Sequence, residues 1–112
     1  MENLLELSVL FDYYGKMLTS RQFDVCDMYL NQNLSLGEIS ENLGITRQGV
    51  RDSLVKAEKI LINLESKLGI MKKNESLSEI VMKIQNFVDD SNMGSEFKNR
   101  ISELTNQINN LI

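Results

Sequence analysis

The chain has 112 residues, 42% apolar and 25% charged, a balance that supports one packed domain or a small domain with a helical appendage. With no histidine and a single cysteine, Cys26, an intrachain disulfide and the common transition-metal ligand sets are excluded, and no cofactor is expected. The net charge of −4 is unfavourable for a nucleic-acid binder, but residues 1–34 and 74–112 each net −3 while residues 35–73 net +2.

Apolar spacing is helical throughout, proline is absent, and the expected fold is all-α with about six helices. The first helix is expected over about Asn3–Tyr14, stopped by Gly15. It is apolar around much of its circumference, which suits deep burial or a subunit interface. Three helix starts with shared chemistry follow. Thr19 caps the next helix, with Gln22 completing a capping box and Leu18 stapled against Phe23. Ser35, Glu38 and the Leu34/Ile39 pair repeat the arrangement. Thr46 caps again, with Ile45 against Val50, but Gly49 stands where the boxing carboxylate or amide would be. Cys26 lies among Phe23 and Leu30 and reads as a small core residue; Met17, Met28, Met71 and Met82 read as core filler.

From Thr46 a long helix is expected to about Leu68, ended by Gly69. Val50, Leu54, Ala57, Leu61, Leu64 and Leu68 give it a heptad seam. Lys72, Lys73 and Asn74 read as a linker. A fifth helix over about Glu75–Asp90 carries Leu77, Ile80, Val81, Ile84, Phe87 and Val88. After a polar break, a sixth over about Glu96–Asn110 carries Phe97, Ile101, Leu104, Ile108 and Leu111. These seams invite helix packing within or between subunits. The expected division is residues 1–73, holding the N-terminal helices and a helix-turn-helix, and residues 74–112, a packing or dimerisation segment.

The chemistry-bearing constellation lies at about residues 35–55. Ile39, Leu43, Ile45, Val50 and Leu54 form the miniature core of a helix-turn-helix, with Gly44 supplying its left-handed turn. In a DNA reader the exposed start of the second helix enters the major groove. Arg47, Gln48 and Arg51 are the candidates for base readout, and Thr46, Lys56 and Lys59 for phosphate contacts. Asp52 opposes that role. No GxxxxGK[ST], CxxC or GxSxG pattern is present, and Asp89-Asp90 reads as a solvated helix end, so an enzyme is not expected. No run of about 18 apolar residues occurs and the N-terminus lacks a basic signal-peptide flank, so no membrane insertion and a cytoplasmic location are expected.

Leu18-Thr19-Ser20-Arg21-Gln22, Leu36-Gly37-Glu38-Ile39-Ser40 and Leu43-Gly44-Ile45-Thr46-Arg47-Gln48-Gly49-Val50-Arg51 resemble region 4 of bacterial sigma factors, over residues 18–60. The whole chain, with Phe11-Asp12-Tyr13-Tyr14-Gly15 and its acidic two-helix tail, resembles the YlxM family of small bacterial helix-turn-helix proteins. That resemblance implies a DNA-binding regulator with a sigma region 4-like fold, linked to the signal recognition particle pathway. It puts the readout positions on Arg47, Gln48 and Arg51. Glu58 and Glu65, which interrupt Lys56, Lys59 and Lys67, depart from the sigma pattern, and the other sigma regions are missing. Two readings stand open: a DNA-binding regulator, expected as a homodimer, and a protein or ribonucleoprotein-binding modulator of signal recognition particle components without direct DNA binding.

Overall fold

Why these residues form six helices is visible at each end. The computed structural model describes residues 3–112, which hold α1 (Leu4–Tyr14), α2 (Ser20–Leu30), α3 (Leu36–Leu43), α4 (Arg47–Leu68), α5 (Ile70–Asp89) and α6 (Ser95–Leu111), and no strand. The Asn3 side chain accepts from the Glu6 N–H at the start of α1. Complete capping boxes open α2, between Thr19 and Gln22, and α3, between Ser35 and Glu38. Thr46 caps α4 alone, its hydroxyl oxygen accepting from the Gly49 N–H at 3.0 Å. Each cap satisfies backbone donors that the first turn leaves without a partner.

The helix ends bear out one expectation and correct another. Gly15 ends α1 as expected, with a right-handed φ of −55°, and the chain runs on into a 3₁₀ turn, Gly15–Met17. Glycine suits the position because a Cβ there would stand 2.9 Å from the Phe11 ring. Gly44 and Gly69, in contrast, end α3 and α4 with φ of 65° and 63°, the left-handed conformation in which a side chain is strained. The correction concerns Lys72-Lys73-Asn74, which lies inside α5 rather than in a linker. Gly69 has already ended α4, and lysine is a good helix former, so α5 begins at once from Ile70.

The chain divides into two compact units, one ending at Gly69 and the other comprising Ile70–Ile112. In the first unit α4 is the central helix and packs on α1, α2 and α3. Its seam residues Val50, Leu54, Ala57 and Leu61 are buried, together with Leu7, Leu10, Phe11 and Tyr14 of α1, Val25 and Cys26 of α2, and Ile39 of α3. Phe11 and Phe23 join α1 to α2 through tilted rings 5.0 Å apart. Burial pushes the Cys26 thiol up to about 11, so it stays protonated at neutral pH and behaves as a small apolar core group. The methionines follow the core expectation only in part. Met28 and Met71 are half-buried, whereas Met17 and Met82 are exposed. An unbranched side chain at a helix end or on an outward face meets no core to fill.

A polar tie fixes the far end of α4. The buried Tyr14 hydroxyl donates to the Glu65 carboxylate at 2.6 Å, bridging 51 positions of sequence. Glu65 therefore interrupts the basic run for a structural reason. Tyr14→Phe is expected to lower stability by about 1–2 kcal/mol, because a charged acceptor loses a donor while the ring packing is kept. Urea denaturation followed by circular dichroism reads this, and an unchanged midpoint contradicts it.

In the second unit α5 and α6 form an antiparallel hairpin, joined through Asp90–Gly94. Its contact line is partly polar. The Gln85 amide donates to Ser102 Oγ at 3.0 Å, and the buried Thr105 hydroxyl lies 2.9 Å from Gln85 Oε1, with Val81 and Val88 buried alongside.

Candidate nucleic-acid interface

The site rests on the α3–turn–α4 segment. Ile39 and Val50 are fully buried and Leu54 nearly so, with Leu43 and Ile45 half-buried beside them. The Gly44 N–H returns to the Ser40 carbonyl, and the Ile45 N–H donates to the same oxygen at 3.1 Å, which closes the turn. The Ser40 hydroxyl donates to the Gly37 carbonyl at 2.7 Å, so its polar atom is satisfied within α3. At the head of α3 the Glu38 carboxylate is held below its ordinary value, chiefly by the hydrogen bond from the Ser35 backbone and then by the Ser35 side chain.

This frame leaves the beginning of α4 open. Thr46, Arg47, Gln48, Arg51, Asp52, Lys56 and Lys59 are all exposed, and among the described residues no ion pair ties the four cations. Helical spacing sorts them into two stripes. Arg47 and Arg51 follow one another at i and i+4. Gln48, Asp52 and Lys59 share the face turned furthest from the buried seam.

Arg47 does not reach straight out. A Cβ built on Gly37 would lie 3.1 Å from Arg47 Nε and Nη2, so the guanidinium rests over the first turn of α3. A cation gains nothing electrostatically at a helix N-terminus, and this position leaves the head group ready to swing toward an anion. Arg51, exposed, lines a shallow cleft with Tyr29, Leu36, Val55 and Glu58. Thr46 Oγ1 already accepts from Gly49, but its hydroxyl proton is free to donate. Lys56 and Lys59 stand further along α4, about three and three and a half turns on from the cap.

Two contacts at the site escaped sequence reasoning. The Gln48 amide donates to Asp52 Oδ1 at 2.9 Å, so a base-reading candidate is engaged by its own helix. Its signal was present in the i, i+4 Gln/Asp pair. The seat of Arg47 was foreshadowed by glycine in the first turn of α3, where a side chain would meet the guanidinium.

A family model described as "Putative helix-turn-helix protein, YlxM / p13 like" matches residues 1–108 of the chain. The chain belongs to this family. YlxM / p13-like relatives of the same length confirm it. A UPF0122 protein of Clostridium novyi is 37% identical over 111 residues, covering 96% of both chains. One from Acetivibrio thermocellus is 38% identical over 115 residues, covering 93% of this chain and 97% of its own. One from Caldanaerobacter subterraneus subsp. tengcongensis is 43% identical over 84 residues, covering 75% of this chain and 72% of its own. The YlxM / p13-like family is described as one of helix-turn-helix proteins. Among the described residues no helix is long and apolar enough to cross a membrane.

Proposed function

We propose that this YlxM / p13-like chain is a cytoplasmic DNA-binding regulator that lays the start of α4 in the major groove. The observation that carries the reading is a capped helix-turn-helix that leaves Thr46, Arg47, Gln48 and Arg51 exposed together at the start of α4. Arg51 and Arg47 suit the paired acceptors of guanine, Gln48 suits adenine once released from Asp52, and Thr46, Lys56 and Lys59 suit phosphates. A homodimer is the working form, because two α4 starts on neighbouring half-sites multiply a modest single-site affinity. The test is selection from a randomised duplex pool by the full chain at low salt. Enrichment of one motif is expected; a pool that stays random through successive rounds overturns the reading.

Asp52 is the natural brake on this activity. It removes a positive field from the centre of the readout face and holds the Gln48 amide. Asp52→Asn is expected to raise affinity for all duplexes by roughly threefold to tenfold, since one phosphate-repelling charge is lost near the backbone. Fluorescence anisotropy reads the change, and an equal or weaker affinity contradicts it.

A second reading is favoured by the engagement of Gln48 and by the total charge of −4. In it the same fold is a scaffold that modulates signal recognition particle components without touching DNA. Retention of the particle's GTPase subunit or RNA on immobilised protein at low salt supports that reading, and loss of both removes it.

A further inference from the structure

The hairpin of α5 and α6 leaves its apolar seams uncovered. Phe87 is 75% exposed, Phe97 69%, Ile80 51% and Leu104 43%, and Ile84 and Ile108 are exposed as well. The helices meet instead along Val81, Gln85, Val88 and Thr105. Ile80, Ile84 and Phe87 stand about a quarter turn from that line on α5, as do Phe97, Leu104 and Ile108 on α6. Because the helices run antiparallel, both quarter turns open on the same side. The opposite side of the hairpin is polar, lined by Ser78, Gln85, Asn86, Asn106 and Asn109 around Met82. One face is therefore almost wholly apolar and the other almost wholly amide and hydroxyl.

We propose that a second copy of this chain covers the apolar face, so that two hairpins close into a four-helix bundle. Three observations select a second copy. The first is area: the exposed fractions amount to roughly 600 Å² of apolar surface per copy, taking about 200 Å² for a large side chain. That is at the top of the roughly 300–600 Å² of a typical monomer's largest apolar patch, and most of the ~800 Å² per partner of a stable interface. The second is spacing. Phe97, Ile101, Leu104, Ile108 and Leu111 step by four and three, and Ile80, Ile84 and Phe87 do the same, which is the repeat that packs helix on helix as knobs into holes. The third is charge. Residues 70–112 hold five basic and six acidic groups, so self-association meets little net repulsion. Both rims mix signs, with Glu79 and Lys83 on α5 and the Arg100–Glu103 pair on α6, so neither rim sets a single-sign field against a second copy.

The contact line explains why the hairpin needs its partner. A pair of helices held by Gln85, Ser102 and Thr105 has specific hydrogen bonds but little buried apolar surface of its own. In the bundle the polar trio sets the register of each hairpin, and the Phe, Leu and Ile seams supply the core.

The experiment is sedimentation equilibrium of the full chain without nucleic acid, so its result is independent of whether the protein binds DNA. The wild-type chain is expected at twice 12.8 kDa, falling toward one copy on dilution. Phe87→Ala and Leu104→Ala, which retain helix propensity at exposed positions, are each expected to raise the dimer dissociation constant by roughly tenfold or more. Met82→Ala, on the polar side, is expected to leave it unchanged. Unaltered helix content by circular dichroism shows that the variants remain folded. A single-copy mass at every concentration, a mass above two copies, or a Met82→Ala loss as large as that of Phe87→Ala overturns the proposal.

Discussion

Ile39→Ala is expected to lower the stability of the N-terminal unit by about 2–5 kcal/mol, the usual cost of truncating a fully enclosed aliphatic side chain. Ile39 has no exposed surface, and neither has Val50, which together with Leu54 and Ile39 holds α3 against α4. The space left behind cannot be closed by sliding α3, because its two ends are fixed. The Ser35–Glu38 box sets the first turn, and the Gly44 turn sets the last. A domain of this size is expected to melt roughly 4–8 °C lower for each kcal/mol lost. Ile62, also on α4 but half exposed, supplies the control: Ile62→Ala is expected to change stability by less than about 1 kcal/mol. Similar losses for the two variants, in thermal denaturation followed by circular dichroism, contradict the packing account.

Arg51→Ala carries the second large effect. Affinity for the selected duplex is expected to fall roughly tenfold to a hundredfold, with relaxed preference at one base pair, since a bidentate guanidinium contact contributes about 1–3 kcal/mol of discrimination. The fold should be indifferent, because Arg51 is exposed on α4 and outside the buried core. Lys59→Ala is expected to behave differently, weakening all duplexes alike and reducing the salt slope by about one unit. If both variants weaken all sequences equally, Arg51 positions the protein and does not read bases.

What could be read from the sequence follows from how local each cause is. The starts of α2, α3 and α4 depend on residues within four positions of each other, so Thr19, Ser35 and Thr46 announce themselves. Gly44 and Gly69 are equally local, because a positive φ is a property of one residue. Gly15 is not. Its reason is the Phe11 ring one turn back, and the same letter that marks a left-handed stop elsewhere marks a close approach here. The boundary at Ile70 was hidden by composition. Two lysines and an asparagine look like a linker, but once Gly69 has ended α4 they are ordinary helical surface.

The candidate site divides in the same way. Periodicity placed Arg47, Gln48 and Arg51 at the exposed head of α4, where they stand. It could not say what each side chain does before a ligand arrives. Gln48 is held by Asp52, and Arg47 lies over Gly37 from another helix. In the hairpin, apolar spacing located both seams but not what they face. The partners are chosen by Gln85, Ser102 and Thr105, polar residues that a hydrophobic pattern passes over. Tyr14 and Glu65, 51 positions apart, leave no local trace at all.

The central claim is that the open head of α4 is the surface that meets DNA. Amide chemical-shift mapping of the full chain with its selected duplex at low salt tests it most directly. Perturbations concentrated at Thr46–Asp52, extending to Lys56 and Lys59 and fading as salt is added, are the predicted result. Shifts confined to other surfaces, or no shift at any duplex concentration, would contradict it.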